Sequence, residues 1–120
     1  IGIPSAIKSL HSQMISNQYW VICAPEYNGS IPPVLTNAIA WLSVQGEDFL
    51  NLFNGRPIAM ASFSGGCCIE LLISMRIQLT HLGAQVVGRQ LASNSQNPAK
   101  EDTIQDILDR LLQMKPLRRA

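Results

Sequence analysis

The strongest constraint on the fold is a short apolar run that is followed at once by a turn and then by a helix-period pattern. Residues 19–24 (YWVICA) carry no charge, as expected of a strand buried on both faces of a parallel sheet. Residues 25–32 are rich in proline, glycine and asparagine, which favour turns. Apolar residues then recur at helical spacing, at Leu35, Ala38, Ile39 and Leu42. The sequence therefore predicts a strand, a loop at its carboxyl end and a helix over residues 33–43.

The same alternation extends along the rest of the 120-residue chain. Strands are predicted at residues 58–63 and 85–91, loops at residues 46–48 and 92–97, and a short helical turn at residues 49–53. Further helices are predicted from Pro4 to Asn17, up to a C-terminal cap at Gly83, and from a cap at Ser95 or Asn97, with Pro98, Glu101 and Asp102 near its start. The order α-β-α-β-α-β-α implies a parallel sheet with helices on both faces, in which ligands bind at the carboxyl ends of the strands.

Composition narrows the classes of function. Charged residues make up 14% of the chain, against about 25% in a typical domain, so we expect much of the surface to be buried against another chain or segment. A net charge of +1 without a basic stripe argues against nucleic-acid binding, and no apolar run approaches the length of a membrane span. Three cysteines, two of them adjacent, make a poor disulfide framework, and no Cys/His spacing suits a zinc site. These features predict a cytoplasmic protein without a bound metal.

Two loops at the predicted carboxyl edge carry the candidate binding residues. The first offers an aromatic ring, an amide, a carboxylate and a glycine together, at Pro25, Glu26, Tyr27, Asn28 and Gly29. The second offers hydroxyls and close backbone amides, at Ser62, Ser64, Gly65 and Gly66. Such groups suit a flat, polar heterocycle, because a ring can pack on its face while amides satisfy its edge. Both loops can also be read as ordinary turns, the second at an anion-friendly helix N-terminus.

Residues 25–43 read PEYNGSIPPVLTNAIAWLS. This segment closely resembles the motif PEYNGSxPxxLKNAxDWxS of the NAD(P)H-dependent FMN reductase family, whose fold is flavodoxin-like. Residues 61–66 and 82–84 are similar to the small-residue turn and the L-G-A helix end of that family. The resemblance implies a three-layer α/β/α fold with FMN as cofactor and NADPH or NADH as co-substrate. It further implies hydride transfer through FMN to a quinone, flavin, azo compound or metal oxyanion, and a homodimer or homotetramer.

The resemblance also assigns roles to the two loops. Residues 25–28 would flank the isoalloxazine, Gly29 would allow the tight turn, and residues 62–66 would form a second wall. No catalytic side chain is implied, since the cofactor performs the chemistry. The family's first strand, phosphate loop, first helix and second strand have no counterpart here, so residues 1–120 are expected to be the C-terminal portion of one domain. Cys67 and Cys68 stand where members usually carry further glycines.

Two other functions stay open from the residues. A flavodoxin-type electron carrier would bind FMN without oxidising NAD(P)H, although such carriers are usually strongly acidic and this chain is near neutral. A serine hydrolase would use Ser64 at a strand–turn–helix. Its G-x-S-x-G pattern fails at Ser62, and His81 lies too early in the chain for the usual order of acid and histidine.

Overall fold

The structure, a computed structural model, describes residues 2–44 and 51–117. Helices and strands alternate along this part of the chain. The helices are α1 (Ser5–Ile15), α2 (Pro33–Leu42), α3 (Ile69–His81) and α4 (Glu101–Gln113). The strands are β1 (Trp20–Cys23), β2 (Pro57–Phe63), β3 (Gln85–Val86) and β4 (Leu91–Ser93). No helix within the described ranges is long and apolar enough to cross a bilayer.

The sheet is parallel, as predicted, and β2 is its central strand. One edge of β2 pairs with β1, with Trp20 opposite Ile58 and Cys23 opposite Ala61. The other edge pairs with β3 at its start and with β4 at its end. All of these pairings are parallel, so β1, β2 and β4 end at one edge of the sheet. The loops that carry the candidate binding residues therefore begin side by side.

The third predicted strand, residues 85–91, is wrong in its bounds, because the structure divides it into β3 and β4. Four residues lie between Val86 and Leu91, whereas two lie between their partners Ile58 and Ala61. Two extra residues therefore leave the ladder between the two strands, as in a β-bulge. The loop predicted at residues 92–97 is also shorter than expected, because β4 continues to Ser93.

Helices cover both faces of the sheet, as predicted, but unequally. Ile58 and Met60 of β2 point to a large core that α1, α2 and α3 also line. Ala59, between them, points to a smaller core with Ile107 and Leu111 of α4. The period-2 alternation of a strand produces this division. Of the helices in the described residues, three therefore pack on one face and one packs on the other.

The prediction that the first strand is buried on both faces is wrong for these residues. Trp20 is buried, but Val21 is 48% exposed and Cys23 is also exposed. Val21 pairs with Ala59, so it shares the face that α4 covers. Helix α4 packs mainly against β2 and β4 and not against β1. The strand is half-buried because that face has too little cover.

The helix ends test the predicted caps. Gly83 terminates α3 with φ of +89°, and its N–H donates to the carbonyl of Thr80, which confirms the predicted C-terminal cap. The caps predicted for the last helix at Ser95 or Asn97 are wrong, since the N-cap is Lys100. Asn94 accounts for the difference, because its Oδ1 accepts the N–H groups of Gln96 and Asn97 and closes a turn before the helix begins.

Glu101 and Asp102 occupy the first turn of α4, as predicted. The predicted loop at residues 46–48 and the first two residues of the predicted turn at 49–53 lie outside the described residues. The end of that turn supplies Leu52 and Phe53 to the large core. The rings of Phe53 and Trp20 pack edge to face, with their centroids 5.5 Å apart. The Arg56 guanidinium lies 4.6 Å from the centroid of the Trp20 ring. These contacts fix the amino end of β1 against that of β2.

We expect Ile107→Ala to destabilise the protein by about 2–5 kcal/mol, since it removes a buried side chain from the smaller core. Ile107 is 5% exposed, whereas Leu112 on the same helix is 61% exposed. Leu112→Ala is therefore the control, with an expected change within about 0.5 kcal/mol. Urea unfolding followed by circular dichroism measures both. Equal losses would mean that α4 does not pack on the sheet as described.

We expect the stability of the protein to depend on pH through Asp106 of α4, whose carboxylate pairs with Arg89 between β3 and β4. Asp106 Oδ2 accepts from Arg89 Nη1 at 2.6 Å and from Arg110 Nε at 2.8 Å. The hydrogen bond from Arg89, then that from Arg110, lowers the pKa of Asp106 below its ordinary 3.8. Because the pKa is lower in the folded state, the ionised Asp106 stabilises the fold at pH values above 3.8. This stabilisation is lost as the pH falls through the lowered pKa of the folded state.

Asp106→Asn should therefore reduce stability at about pH 6, and the deficit should shrink towards about pH 3. The measurement is the urea midpoint of both proteins across that range. Asp109→Asn is a matched control on the same helix, because Asp109 bonds to Gln105 and has no ion pair among the described residues. A deficit that stays constant with pH would contradict the assignment.

Candidate functional site

The candidate site lies where β1, β2 and β4 end. Ala24 N–H donates to Ala61 O at 3.1 Å, and Ser64 N–H donates to Ser93 O at 3.2 Å, so the ladder continues just past each strand end. The loop after β1 and the turn after β2 therefore begin with their backbones already tied together. The sequence predicted these two connections as the site, and the structure brings them to one edge.

A tight turn shapes the loop after β1. Tyr27 and Ser30 exchange two backbone hydrogen bonds, each of 2.9 Å. Between them, Asn28 and Gly29 have φ of +52° and +76°. Two consecutive positive φ values define a type I′ turn, for which Asn-Gly is the preferred pair. The turn leaves the Tyr27 ring 54% exposed and holds the Asn28 carboxamide at the surface.

An apolar cavity of about 310 Å³ opens beside this loop. Eight residues at the end of β1, in the loop and at the start of α2 line it: Cys23, Ala24, Pro25, Tyr27, Pro32, Val34, Leu35 and Ala38. Its volume lies at the lower end of the range for small-molecule sites. The cavity is thus large enough for one flat ring system of a ligand rather than a whole dinucleotide.

The turn after β2 is held by short polar contacts. Ser64 Oγ lies 3.1 Å from Cys68 Sγ, and Asn94 Nδ2 donates to Gly66 O at 3.1 Å. Cys68 is fully buried and has φ of +66° at the N-terminus of α3. A side chain in this left-handed region costs on the order of 1 kcal/mol. The conformation explains why glycine would suit this position, and the buried thiol contacts explain how cysteine is accommodated.

The second group of predicted residues divides into exposed and buried members. Gly65 and Gly66 are exposed and Ser64 is half-buried, so these three border the site. Ser62 is 3% exposed, and its Oγ has no hydrogen-bond partner among the described residues. Ser62 pairs with Ala92, which packs against the large core, so its side chain lies beneath the turn. Only its backbone carbonyl, which accepts from Ser93 Oγ at 2.9 Å, takes part in holding the turn.

Two carboxylates dominate the charge of the site. Glu26 is half-buried, and its Oε1 lies 3.4 Å from Leu71 N in the first turn of α3. Glu70, which sequence reasoning missed, reaches back from α3 to Gly29. The only available signal for Glu70 was its position as an acid in a helix's first turn. Residues 24–32 and 62–69 contain no lysine or arginine.

The arrangement offers little to a nucleophilic mechanism. The described hydrogen-bond partner of Ser64 Oγ is the Cys68 thiol rather than a histidine. His81 lies at the opposite end of α3, about 18 Å along the helix from its start. No cluster of potential metal ligands occurs in the parts of the chain that the structure describes. The site is therefore equipped to bind and orient a planar ligand by shape, backbone groups and an exposed ring.

Known proteins with related sequences are reductases. The chain is 35% identical over 66 residues to the NAD(P)H-dependent FMN reductase of Pseudomonas aeruginosa, covering 55% of this chain and 34% of that protein. It is 37% identical over 65 residues to the quinone reductase of Escherichia coli strain K12, covering 54% of this chain and 33% of that protein. These matches thus span about a third of each relative.

Solved structures share the fold. FerB, a flavoenzyme NAD(P)H:(acceptor) oxidoreductase from Paracoccus denitrificans, superposes with a TM-score of 0.69 at 20% identity, over 90% of this chain and 64% of FerB. The Trp repressor binding protein of Bacillus subtilis gives a TM-score of 0.62 at 15% identity, over 92% of this chain and 72% of that one. At such identities the likeness establishes the architecture alone. The three-layer, flavodoxin-like arrangement expected from the sequence is thereby confirmed.

The family is established by a match of a different kind. A sequence profile of the NADPH-dependent FMN reductase family matches residues 1–98, which include both loops of the site and every strand of the sheet. That match agrees with the sequences and folds of the relatives. The chain belongs to the NADPH-dependent FMN reductase family.

Proposed function

We propose that this chain forms the ring-binding part of an FMN-dependent NAD(P)H oxidoreductase that reduces a small acceptor. The observation that carries the proposal is the pairing of the exposed Tyr27 ring and its apolar cavity with a glycine turn on the neighbouring strand. An isoalloxazine has a flat apolar face and a polar edge, and this site has a counterpart for each. The expected acceptor is a quinone, with a flavin, an azo compound or a metal oxyanion as further candidates.

Gly65 provides a test of whether such a ring fits. Its φ is not in the left-handed region, and a methyl group there would meet no protein atom within 4 Å. The protein's own packing therefore does not require glycine at this position. A planar ligand lying against the backbone would require it, because a side chain would occupy the ligand's space. The open space beside Gly65 and the exposed Tyr27 ring thus support the proposal that these residues bind a flavin ring.

The phosphate of FMN needs other partners. The two loops contain no lysine or arginine, and the charged residues beside them are Glu26 in the first loop and Glu70 in the first turn of α3. Backbone N–H groups or residues outside these loops would have to neutralise a phosphate. We therefore assign contacts with the ring, and not contacts with the phosphate, to Pro25, to residues 27–29 and to residues 64–66, while Glu26 holds the first loop against α3.

When bound, FMN supplies the transfer of hydride from NAD(P)H to the acceptor. The protein's own residues bind and orient the ring and limit access of water. Tyr27 and the cavity wall contact its face, while the Asn28 carboxamide and the backbone of residues 64–66 are available to its polar edge. Glu26 is engaged with the N-terminus of α3, so no general base is assigned.

We further propose that the protein acts as a homodimer or homotetramer in the cytoplasm. Three isoleucines on α3, at spacings of four residues, leave an apolar stripe exposed: Ile69 at 44%, Ile73 at 51% and Ile77 at 66%. Contiguous exposed apolar surface of this kind favours association between chains. The three free cysteines are compatible with a reducing compartment.

The direct test is to titrate the purified full-length protein with FMN and to follow quenching of flavin fluorescence. Consumption of NADPH or NADH in the presence of a quinone is then measured by absorbance. Saturable binding together with quinone-dependent oxidation would support the proposal. Binding without oxidation would favour an electron carrier, and absence of any FMN binding would overturn the proposed site.

Replacing Tyr27 tests the ring contact. Tyr27→Ala should weaken FMN binding about three- to tenfold, because it removes an aromatic surface from the face of the flavin. Tyr27→Phe keeps the ring and should bind within about twofold of the unaltered chain. The ratio of the two dissociation constants is the measured quantity. Equal constants for the two variants would show that the ring at residue 27 does not contact the flavin.

A further inference from the structure

We propose that Glu26 and Glu70 act as a reciprocal pair of positioning residues that holds the two ring-binding loops at a fixed separation before any ligand binds. Glu26 extends from the loop after β1 to α3, and Glu70 extends from α3 back to that loop. We call this pair the carboxylate clamp. Its role in ring binding rests on the proposed function, whereas its existence can be tested without a cofactor.

The first half of the clamp completes the start of α3. The first N–H groups of a helix have no partner within the helix, and Leu71 is the third residue of α3. The N-cap residue, Cys68, makes no side-chain capping bond. Glu26 Oε1 lies 3.4 Å from Leu71 N, so a carboxylate from another loop takes the place of a local cap. Its negative charge also faces the positive end of the helix dipole.

The same side chain accounts for a glycine in the second loop. The other oxygen of Glu26, Oε2, lies 3.2 Å from the position that a Cβ on Gly66 would occupy. Gly66 does not have a positive φ, so backbone conformation does not require glycine there. A methyl group there would make the carboxylate shift by a few tenths of an ångström, and the contact of that carboxylate with Leu71 N is already long, at 3.4 Å. Gly66 and Glu26 are thus matched across the two loops.

The second half of the clamp runs in the opposite direction. Glu70 belongs to the first turn of α3, and its Oε2 fills the space where a Cβ on Gly29 would lie. Gly29 is the second central residue of the type I′ turn that presents Tyr27. Gly66 of the second loop therefore lies against the carboxylate of Glu26, and Gly29 of the first loop lies against the carboxylate of Glu70. Two independent contacts, one between Glu26 and Leu71 and one between Glu70 and Gly29, set the distance between Tyr27 and the glycine turn.

The clamp also explains what this helix N-terminus does not do. A helix N-terminus with free N–H groups favours an anion, such as a phosphate. Glu26 and Glu70 already place two negative charges at α3, which disfavours a third. The Glu26 carboxylate faces Leu71 N, and the Glu70 carboxylate faces Gly29. We therefore assign both a structural role and not a role in proton transfer. The site is preorganised for a neutral ring, and an anion is directed elsewhere.

The first experiment measures amide hydrogen exchange of Leu71 in the ligand-free chain. In the structure this N–H has Glu26 as its acceptor, so its protection reports the contact directly. Glu26→Ala should accelerate exchange about fivefold or more, the effect of losing one hydrogen bond. Glu26→Gln keeps an oxygen acceptor and should stay near the unaltered rate. Glu101→Ala, at the first residue of α4, is the matched control and should leave Leu71 unchanged.

A double-mutant cycle tests the match between the loops. Gly66→Ala should accelerate Leu71 exchange as Glu26→Ala does, because the added methyl displaces the carboxylate. In the Glu26→Ala background the same change should add nothing. For the other half, Glu70→Ala should accelerate exchange of the Tyr27 and Ser30 amides, whose mutual bonds close the turn. Additive effects in the cycle, or unchanged rates in every variant, would overturn the clamp.

The final measurement is FMN affinity by fluorescence quenching. Glu26→Ala and Glu70→Ala should each weaken binding about three- to tenfold, while Glu26→Gln stays within about twofold and Glu101→Ala is unchanged. Far-ultraviolet circular dichroism confirms that each variant is folded. If the unaltered chain binds no FMN, the proposed function fails while the exchange results still decide the clamp. If exchange changes as expected but affinity does not, the positioning role is overturned.

Discussion

The parallel pairing of β2 with strands on both of its edges is the constraint on which the rest of the structure depends. It aligns the carboxyl ends of β1 and β4, and it sends alternate side chains into two separate cores. A shift of one residue in either pairing would exchange Ile58 and Met60 with Ala59 between the faces. The two binding loops would then no longer start level with each other. The geometry of the site is therefore a consequence of backbone register before it is a consequence of any side chain.

Much of this architecture could be predicted from sequence because its signals are local. The apolar run of β1, the Asn28-Gly29 turn and the Gly83 cap each depend on residues close together in the chain. The errors arise where distant parts compete. Leu91, Ala92 and Ser93 join the sheet by pairing with residues 61–63, which splits the third strand, and α4 packs on β2 and β4 and leaves Val21 uncovered. Neither effect is visible in the periodicity of one segment.

The candidate site shows the same division. Its two loops could be located from turn chemistry at the ends of predicted strands, and the structure brings them together. The inward side chain of Ser62 could not be assigned, because strand parity relative to the core was unknown. The contact of Glu70 with Gly29 joins residues far apart in sequence, and a first-turn acid is too common to suggest it. Long-range contacts of this kind require the register of the sheet before they can be inferred.

The division between β3 and β4 has a consequence for how this fold can change in length. Val86 faces the large core and Leu91 faces the smaller one, just as their partners Ile58 and Ala61 lie on opposite faces. This agreement survives because the extra residues number two, which preserves the odd–even phase of the strand. An indel of two residues at this point leaves every later side chain on its own face, whereas an indel of one inverts them. Natural variation in this segment should therefore proceed in even steps.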